Sequence, residues 1–269
     1  MLACLSPGRN IKVHLWGIVL TGHEHTMDKD RPSFLLSSLL NPRSIAIVGA
    51  SQRGGRGTVP LDQLIRIGYE GRLYPINPKY DEVRGLQCYP NVAALPEVPD
   101  CTILGIQAES ALTVLDELGA IGSSAAVLLS SGFAEAGPEG GEMQRRLRQT
   151  AFHHNIALCG PNCHGILNVR SKAALFSGTI PEPLILGGLA FVAQSGVMSG
   201  AIVDKVQRRG IGLSYLISTG NEAVLDLTDY IEFLLDDPAT RVIATFIALK
   251  TAAFFTLSGS PGSTPCSFK

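Results

Sequence analysis

An α/β chain built from two successive βα units is predicted by three features of the sequence. Short, largely apolar runs recur, among them the partly β-branched Ile45–Val48, Ala125–Leu129 and Leu213–Ser218, and the first is unbroken, as expected of a strand buried on both faces of a parallel sheet. Stretches with helical spacing of apolar residues separate them, and each run ends in glycine or small polar residues. The alternation restarts after Gly160-Pro161-Asn162-Cys163, which puts a domain junction there.

In chain order, Ile45–Val48 is the first strand and stops at Gly49; a helix over Leu61–Ile67 follows and ends near Gly68. Residues 71–78 read as the second strand, because Pro75 and Pro78 exclude an extended helix. Val83–Tyr89 and Val92–Leu95 read as turns and a short helix leading to a third strand at Cys101–Ile106. Helix Ala111–Gly119, strand Ala125–Leu129, helix Glu142–His154 and strand Ile156–Cys159 complete the first unit. The second unit supplies strand Ala190–Ala193, a helix through Ile202–Arg208, strand Leu213–Ser218, helix Leu227–Leu235 and strand Val242–Ile247, hence three parallel strands.

Chemistry concentrates in the turns. Gly49, Gly54, Gly55 and Gly57 give four glycines within nine positions between a strand and a helix, so the backbone can bend tightly and bring free N–H groups and a helix N-terminus to an anion such as a phosphate. Arg53 and Arg56 add positive charge. Ser51 stands where the G-x-G-x-x-G dinucleotide fingerprint needs its second glycine, so the fingerprint is not met, and a ligand-free βα turn has similar glycines. In a doubly wound sheet the carboxyl ends of the strands form the ligand crevice, which would gather residues 49–57, Asn77-Pro78-Lys79, Gln107-Ala108 and Ser130-Ser131-Gly132.

With 269 residues, 45% of them apolar and 17% charged, the chain can bury substantial cores. A net charge of −1 with no long basic run argues against nucleic acid as a partner. Six dispersed cysteines without a CxxC pair suit reduced thiols in the cytoplasm, and Cys159, Cys163 and His164 lack the second ligand cluster of a zinc site. The apolar stretch Val13–Leu20 is too short to span a bilayer, and no membrane partner is expected. Residues 1–33 read as a disordered extension or an upstream start, with Met27 opening the folded protein; a signal peptide is the alternative, disfavoured by His14 and the lack of an A-x-A site. Residues 251–269 read as an irregular Ser/Gly/Pro-rich tail that cuts the second unit short, through truncation or a shifted reading frame.

Five segments together resemble one family: residues 42–51 (PRSIAIVGAS), 74–79 (YPINPK), 131–137 (SGFAEAG), 160–163 (GPNC), and Gln194-Ser195-Gly196 followed by residues 218–222 (STGNE). They are similar to the NDP-forming acyl-CoA synthetases, relatives of the succinyl-CoA synthetase α subunit, over about residues 37–250. The resemblance implies a Rossmann-like CoA-binding domain at 34–160 and an incomplete flavodoxin-like ligase domain at 161–250. By position, Gly49, Ser51, Gln52 and Arg53 would lie by the CoA phosphates, Asn77, Pro78 and Lys79 by its nucleotide, and Ala108, Ser131 and Gly132 along the pantetheine arm. Ser195 and Gly196 would cradle phosphate; Asn162 and Cys163 would stand near the thioester, and Glu222 would accept a hydrogen bond from a phosphorylated imidazole.

The family joins an acid and CoA at the expense of a nucleoside triphosphate, through acyl phosphate and phospho-histidine. Its partners are therefore CoA and a small carboxylic acid, with ATP/ADP and Mg²⁺ held by an ATP-grasp domain that this chain lacks and a partner subunit would supply. The phospho-histidine position falls in the tail, where no histidine occurs. His164 and the pair His153-His154 read as structural or solvated. Two alternatives follow: a CoA-binding regulatory module without turnover, and an NAD(P)-binding oxidoreductase domain. The second is disfavoured because Asn77-Pro78-Lys79 offers no acidic group to a ribose.

Overall fold

The computed structural model describes residues 12–16 and 32–247. Strand β1 (Lys12–Trp16) comes first, so the expected disorder of residues 1–33 fails at these five positions. Helix α1 (Leu36–Leu40) buries Leu39 and Leu40 and leads into β2 (Ser44–Val48), every residue of which is buried. Helix α2 (Thr58–Arg66) starts after the glycine turn and buries Thr58, Pro60, Leu61 and Leu64 along one face. Then come β3 (Arg72–Ile76) and a two-residue hairpin, β4 (Glu82–Val83) with β5 (Leu86–Gln87). The hairpin replaces the turns expected there, and the short helix shrinks to a 3₁₀ turn at Val92–Ala94. Strand β6 (Cys101–Leu104), helix α3 (Ala108–Ala120), strand β7 (Ala125–Leu128), helix α4 (Pro138–His153) and strand β8 (Ala157–Cys159) close the first unit.

All neighbours in this sheet are parallel, in the order β3-β2-β6-β7-β8. In order of appearance that is strand 2-1-3-4-5, a doubly wound arrangement whose order reverses between β2 and β6. The backbone is packed tightly at that point. A Cβ on Gly105 would stand 2.3 Å from the Gly57 Cα, and one on Gly57 would stand 2.7 Å from the carbonyl carbon of Gly49. The loop can therefore fold back over the ends of β2 and β6 only with glycine at these positions.

The second unit holds more than three strands. Strands β9 (Gly165–Asn168) and β10 (Ala173–Phe176) form an antiparallel hairpin that the sequence reading missed. β11 (Leu186–Ala193), helix α5 (Gly196–Arg208), β12 (Leu213–Ser218), helix α6 (Leu227–Asp236) and β13 (Val242–Phe246) follow. The sheet order is β1-β13-β11-β12-β9-β10; β9 meets β12 antiparallel, and the pairs among β1, β13, β11 and β12 are parallel. The hairpin escaped detection because both strands are only four residues long and wholly buried, so they show no alternation. Asn168 secures it: its Oδ1 accepts from the amides of Arg170 and Ser171, and its Nδ2 donates to the Leu40 carbonyl at 2.9 Å and the Tyr215 hydroxyl at 3.1 Å. The expected irregular tail, residues 251–269, lies outside the described residues.

The two units are joined by polar contacts from α2 to the loop before β11. Gln63 Nε2 donates to the Gly178 carbonyl at 3.0 Å, Arg66 Nη2 donates to the Ile180 carbonyl at 2.9 Å, and Arg66 also pairs with Glu182.

The glycine junction yields a stability test. Gly105→Ala drives a methyl into the Gly57 backbone and is expected to cost about 1–3 kcal/mol, the usual range for overpacking. Gly141→Ala, inside α4 with no atom within 4 Å of the new Cβ, is expected to stabilise by roughly 0.5–1 kcal/mol. Urea unfolding midpoints check both, and equal midpoints for the two variants would contradict the close approach.

Candidate functional site

Between the two units lies a cleft of about 790 Å³. Gly55, Arg56 and Ser131 line it from the first unit, Ser195 and Gly196 from the second, and Asn162, Cys163 and His164 from the segment that joins them. Each group arrives from the carboxyl end of a strand: the glycine loop from β2, Ser131 from β7, the joining segment from β8, and the Ser195 turn from β11. Of the residues expected to form a crevice, Gly55, Arg56 and Ser131 line this concavity, and the second unit is its far wall.

Hydrogen bonds made by the backbone and short side chains hold the loops. Ser51 N donates to Thr58 Oγ1 at 3.0 Å, Thr58 Oγ1 returns to the Ser51 carbonyl at 3.1 Å, and Ser51 Oγ lies 3.3 Å from the Tyr80 hydroxyl. Gln52 Nε2 donates to the Glu82 carbonyl, while Arg84, paired with Asp62, donates to the Gln52 carbonyl at 3.2 Å. Asn77 Nδ2 donates to the Ala50 carbonyl at 2.7 Å, and Asn77 Oδ1 accepts from Lys79 N at 3.1 Å, so the loops after β2 and β3 form one rim. Pro78 belongs to that rim, and Arg53 is exposed beside it, its amide donating to Ser51 Oγ. Gly49, Ser51, Gln52, Arg53, Asn77, Pro78 and Lys79 do not line the interdomain cleft; they form the adjoining rim. Ala108 opens α3 and is buried, with Gly132 close to its methyl. Tyr80 and Arg84 were not singled out from the sequence, and their spacing to the glycine turn carries no signal that would have identified them.

Across the cleft, Glu135 joins the two units. Its Oε1 accepts from Gly132 N at 2.6 Å and Phe133 N at 3.2 Å, while Oε2 accepts from Asn221 Nδ2. Burial pushes this carboxyl up, but the bonds from Asn221 and the two amides outweigh it and hold the group below its ordinary range. Asn162 sits in the left-handed region with φ 56°, donates from its amide to the Ser130 carbonyl, and reaches Asn221 Oδ1 at 3.2 Å.

Ser195 caps α5, its Oγ accepting from Met198 N at 3.4 Å, and Gly196 is the first helical residue. Glu222, with φ 57°, accepts from Gln194 Nε2 at 2.9 Å and from Thr219 Oγ1 at 2.8 Å. These bonds fix the orientation of its carboxylate. Cys163 borders the cleft, yet its thiol donates to the Leu128 carbonyl at 3.4 Å and is buried. The neighbouring Cys159 thiol and burial push it well above the ordinary thiol range, so it is a poor source of thiolate.

His164, read from the sequence as structural or solvated, borders the cleft. Its ring packs edge-on against Phe176, with centroids 5.8 Å apart, and against Gly196, where a Cβ would stand 2.6 Å from Cδ2. Nδ1 is buried without a hydrogen-bond partner among the described residues, and burial lowers the proton affinity of the ring.

A parallel doubly wound unit sharing a cleft with a second, mixed-sheet unit, whose capped helix starts at that cleft, defines a two-domain nucleotide-type binding protein. The profile of the CoA binding domain matches residues 43–169, and that of the succinyl-CoA ligase like flavodoxin domain matches residues 186–251. The chain is 36% identical over 213 residues to an acetate–CoA ligase [ADP-forming] I of Archaeoglobus fulgidus, covering 79% of this chain and 30% of that protein. It is 35% identical to the α subunit of acetate–CoA ligase [ADP-forming] I of Pyrococcus furiosus, covering 79% of this chain and 46% of the subunit. Among solved structures it is similar to the dinucleotide forming acetyl-coenzyme A synthetase 1 of Ca. Korarchaeum cryptofilum in complex with phosphate and ADP, with a TM-score of 0.75, 34% identity, and coverage of 81% of this chain and 46% of that one. The chain thus carries these two domains and is similar to ADP-forming acyl-CoA synthetases, and it spans about a third to a half of the length of these relatives.

The depressed proton affinity of His164 has a consequence for stability. Between its folded value and the ordinary 6.5, the unfolded chain binds more protons than the native one, so stability rises with pH through that window and is complete above it. Acidification from about pH 7 to about pH 5 is therefore expected to destabilise the wild type more than His164→Phe, as read from unfolding midpoints across that range. Parallel pH profiles would show that the ring titrates freely.

Proposed function

We propose that this chain is the CoA-binding and phosphate-cradling part of an NDP-forming acyl-CoA synthetase, which converts an acid, CoA and a nucleoside triphosphate to acyl-CoA, the diphosphate and phosphate. The cleft carries this reading, because it faces the carboxyl-end loops of the CoA-binding unit with the capped start of α5 in the ligase-like unit. A phosphate-bearing ligand suits the rim: Gly54 and Gly55 have positive φ and open space where a Cβ would stand, so backbone can approach a pyrophosphate closely. Gly49, Ser51, Gln52 and Arg53 would take the CoA phosphates, Asn77, Pro78 and Lys79 its nucleotide, and Ala108, Ser131 and Gly132 the pantetheine arm toward Asn162.

Asn162 would orient the thioester. Cys163, with its protonated thiol turned to the Leu128 carbonyl, would serve there as packing, not as a nucleophile. Ser195 and Gly196 would offer N–H groups to a phosphate, and Glu222, positioned by Gln194 and Thr219, would accept a hydrogen bond from a phosphorylated imidazole, for which residues 251–269 offer no histidine. The nucleotide and its Mg²⁺ would be held by an ATP-grasp domain, carried by a partner subunit. The acid would be a small carboxylic acid. An NAD(P) site is disfavoured because Asn77-Pro78-Lys79, the three residues directly after β3, include no carboxylate.

The ligand assignment is tested by thermal unfolding. CoA at about a hundred times its dissociation constant is expected to stabilise the chain by roughly 2.7 kcal/mol, and NAD to leave it unchanged. Equal stabilisation by the two would remove the CoA assignment.

Lys79 provides the finer test. An ammonium at the end of β3 acts on a ribose phosphate as a point charge, so Lys79→Ala is expected to weaken CoA roughly tenfold and dephospho-CoA little, as measured by calorimetry. Identical losses for the two ligands would show that Lys79 does not read that phosphate.

A further inference from the structure

Behind His164 lies a second cavity of about 730 Å³, formed by the loop before β11 and one face of α5. Thr179, Pro181, Glu182, Gly200 and Asp204 line it, and it shares two residues with the interdomain cleft, Ser177 and His164. His164 thus borders both cavities, and packing holds its ring in place. Gly196 and Gly178 flank it so closely that a Cβ on either would stand 2.6 Å and 3.3 Å from its atoms, and the Phe176 ring backs it. Its backbone is fixed as well, with His164 N donating to Ser218 Oγ at 3.1 Å and its carbonyl accepting from Ser177 N at 2.8 Å. The ring is uncharged when the cleft is used near neutral pH, because burial disfavours the imidazolium. It therefore acts as a wall, not as a charge.

We propose that His164 is the partition that ends the acyl pocket, so that this chain accepts CoA thioesters of short carboxylic acids and excludes longer ones that would have to pass the ring into the second cavity. The inference rests on the reading of the cleft as a CoA thioester site. With the thioester carbonyl at Asn162, the acyl group lies in the cleft that His164 also lines. A short acyl group ends against the imidazole; a longer one meets the ring, which Phe176, Gly178 and Gly196 leave little room to move.

The test measures dissociation constants of CoA, acetyl-CoA, butyryl-CoA and octanoyl-CoA by calorimetry on the full chain. The wild type is expected to bind CoA and acetyl-CoA alike and octanoyl-CoA at least roughly tenfold more weakly, the scale on which a closed pocket rejects extra methylenes. His164→Ala, which merges the cavities, is expected to bring octanoyl-CoA to within roughly threefold of acetyl-CoA, while His164→Phe, which keeps a ring, retains the wild-type profile. Gly200→Leu added to His164→Ala fills the second cavity, where a Cβ at 200 meets nothing within 4 Å, and is expected to restore the discrimination. If His164→Ala does not fold, His164→Val removes the ring with a smaller loss of volume and replaces it in both variants. A chain-length profile that is flat in the wild type, or the same in the wild type and the ring-less variant, overturns the proposal while CoA binding stands. Failure of the wild type to bind CoA at all overturns the underlying site reading and this proposal with it.

Discussion

Backbone-to-backbone packing of Gly49, Gly57 and Gly105 is the contact on which the rest of the site depends. It occurs where the strand order of the first sheet reverses, the one place where loops from adjacent strands leave in opposite directions and open a crevice. Because no side chain separates these three residues, the loop from Ser51 to Arg56 lies across the ends of β2 and β6 with its amides free of the sheet. The rim contacts depend on it in turn: Thr58 can bridge both backbone groups of Ser51, and Asn77 can reach Ala50, only with the loop folded down.

The second unit completes a cavity that the first only begins. Side-chain amides and a carboxylate hold the two walls together: Asn221 donates to Glu135, which in turn gathers the amides of Gly132 and Phe133 from the first unit. The amides that satisfy this carboxylate come from both sides of the cleft. On the opposite flank, Gln63 and Arg66 hold the loop before β11 through its carbonyls. The cleft walls are positioned by directional polar bonds at their edges, with apolar cores behind each sheet.

Within that frame, three consecutive residues of one loop take separate tasks. Asn162 is held in a left-handed conformation by its bond to Ser130 and faces Asn221. Cys163 turns inward to Leu128, and His164 turns outward between two glycines. This alternation explains how a cysteine beside a binding cleft can be inert while its histidine neighbour shapes the space.

The order of strands and helices in the first unit and the glycine turn were legible in the sequence, because buried parallel strands appear as unbroken apolar runs and glycine marks the turns. The capped start of α5 at Ser195 was legible for the same local reason. The β9–β10 hairpin, the pairing of β1 with β13, the bonds of Glu135 to the second unit, and the exposure of His164 to two cavities were decided by tertiary structure. Short, wholly buried strands leave no periodic signature, and pairing between segments more than two hundred residues apart leaves none in either segment. Whether a histidine is packed in a core or walls a cleft depends on Gly178, after β10, and Gly196, after β11, which meet it only through the folding of the second sheet.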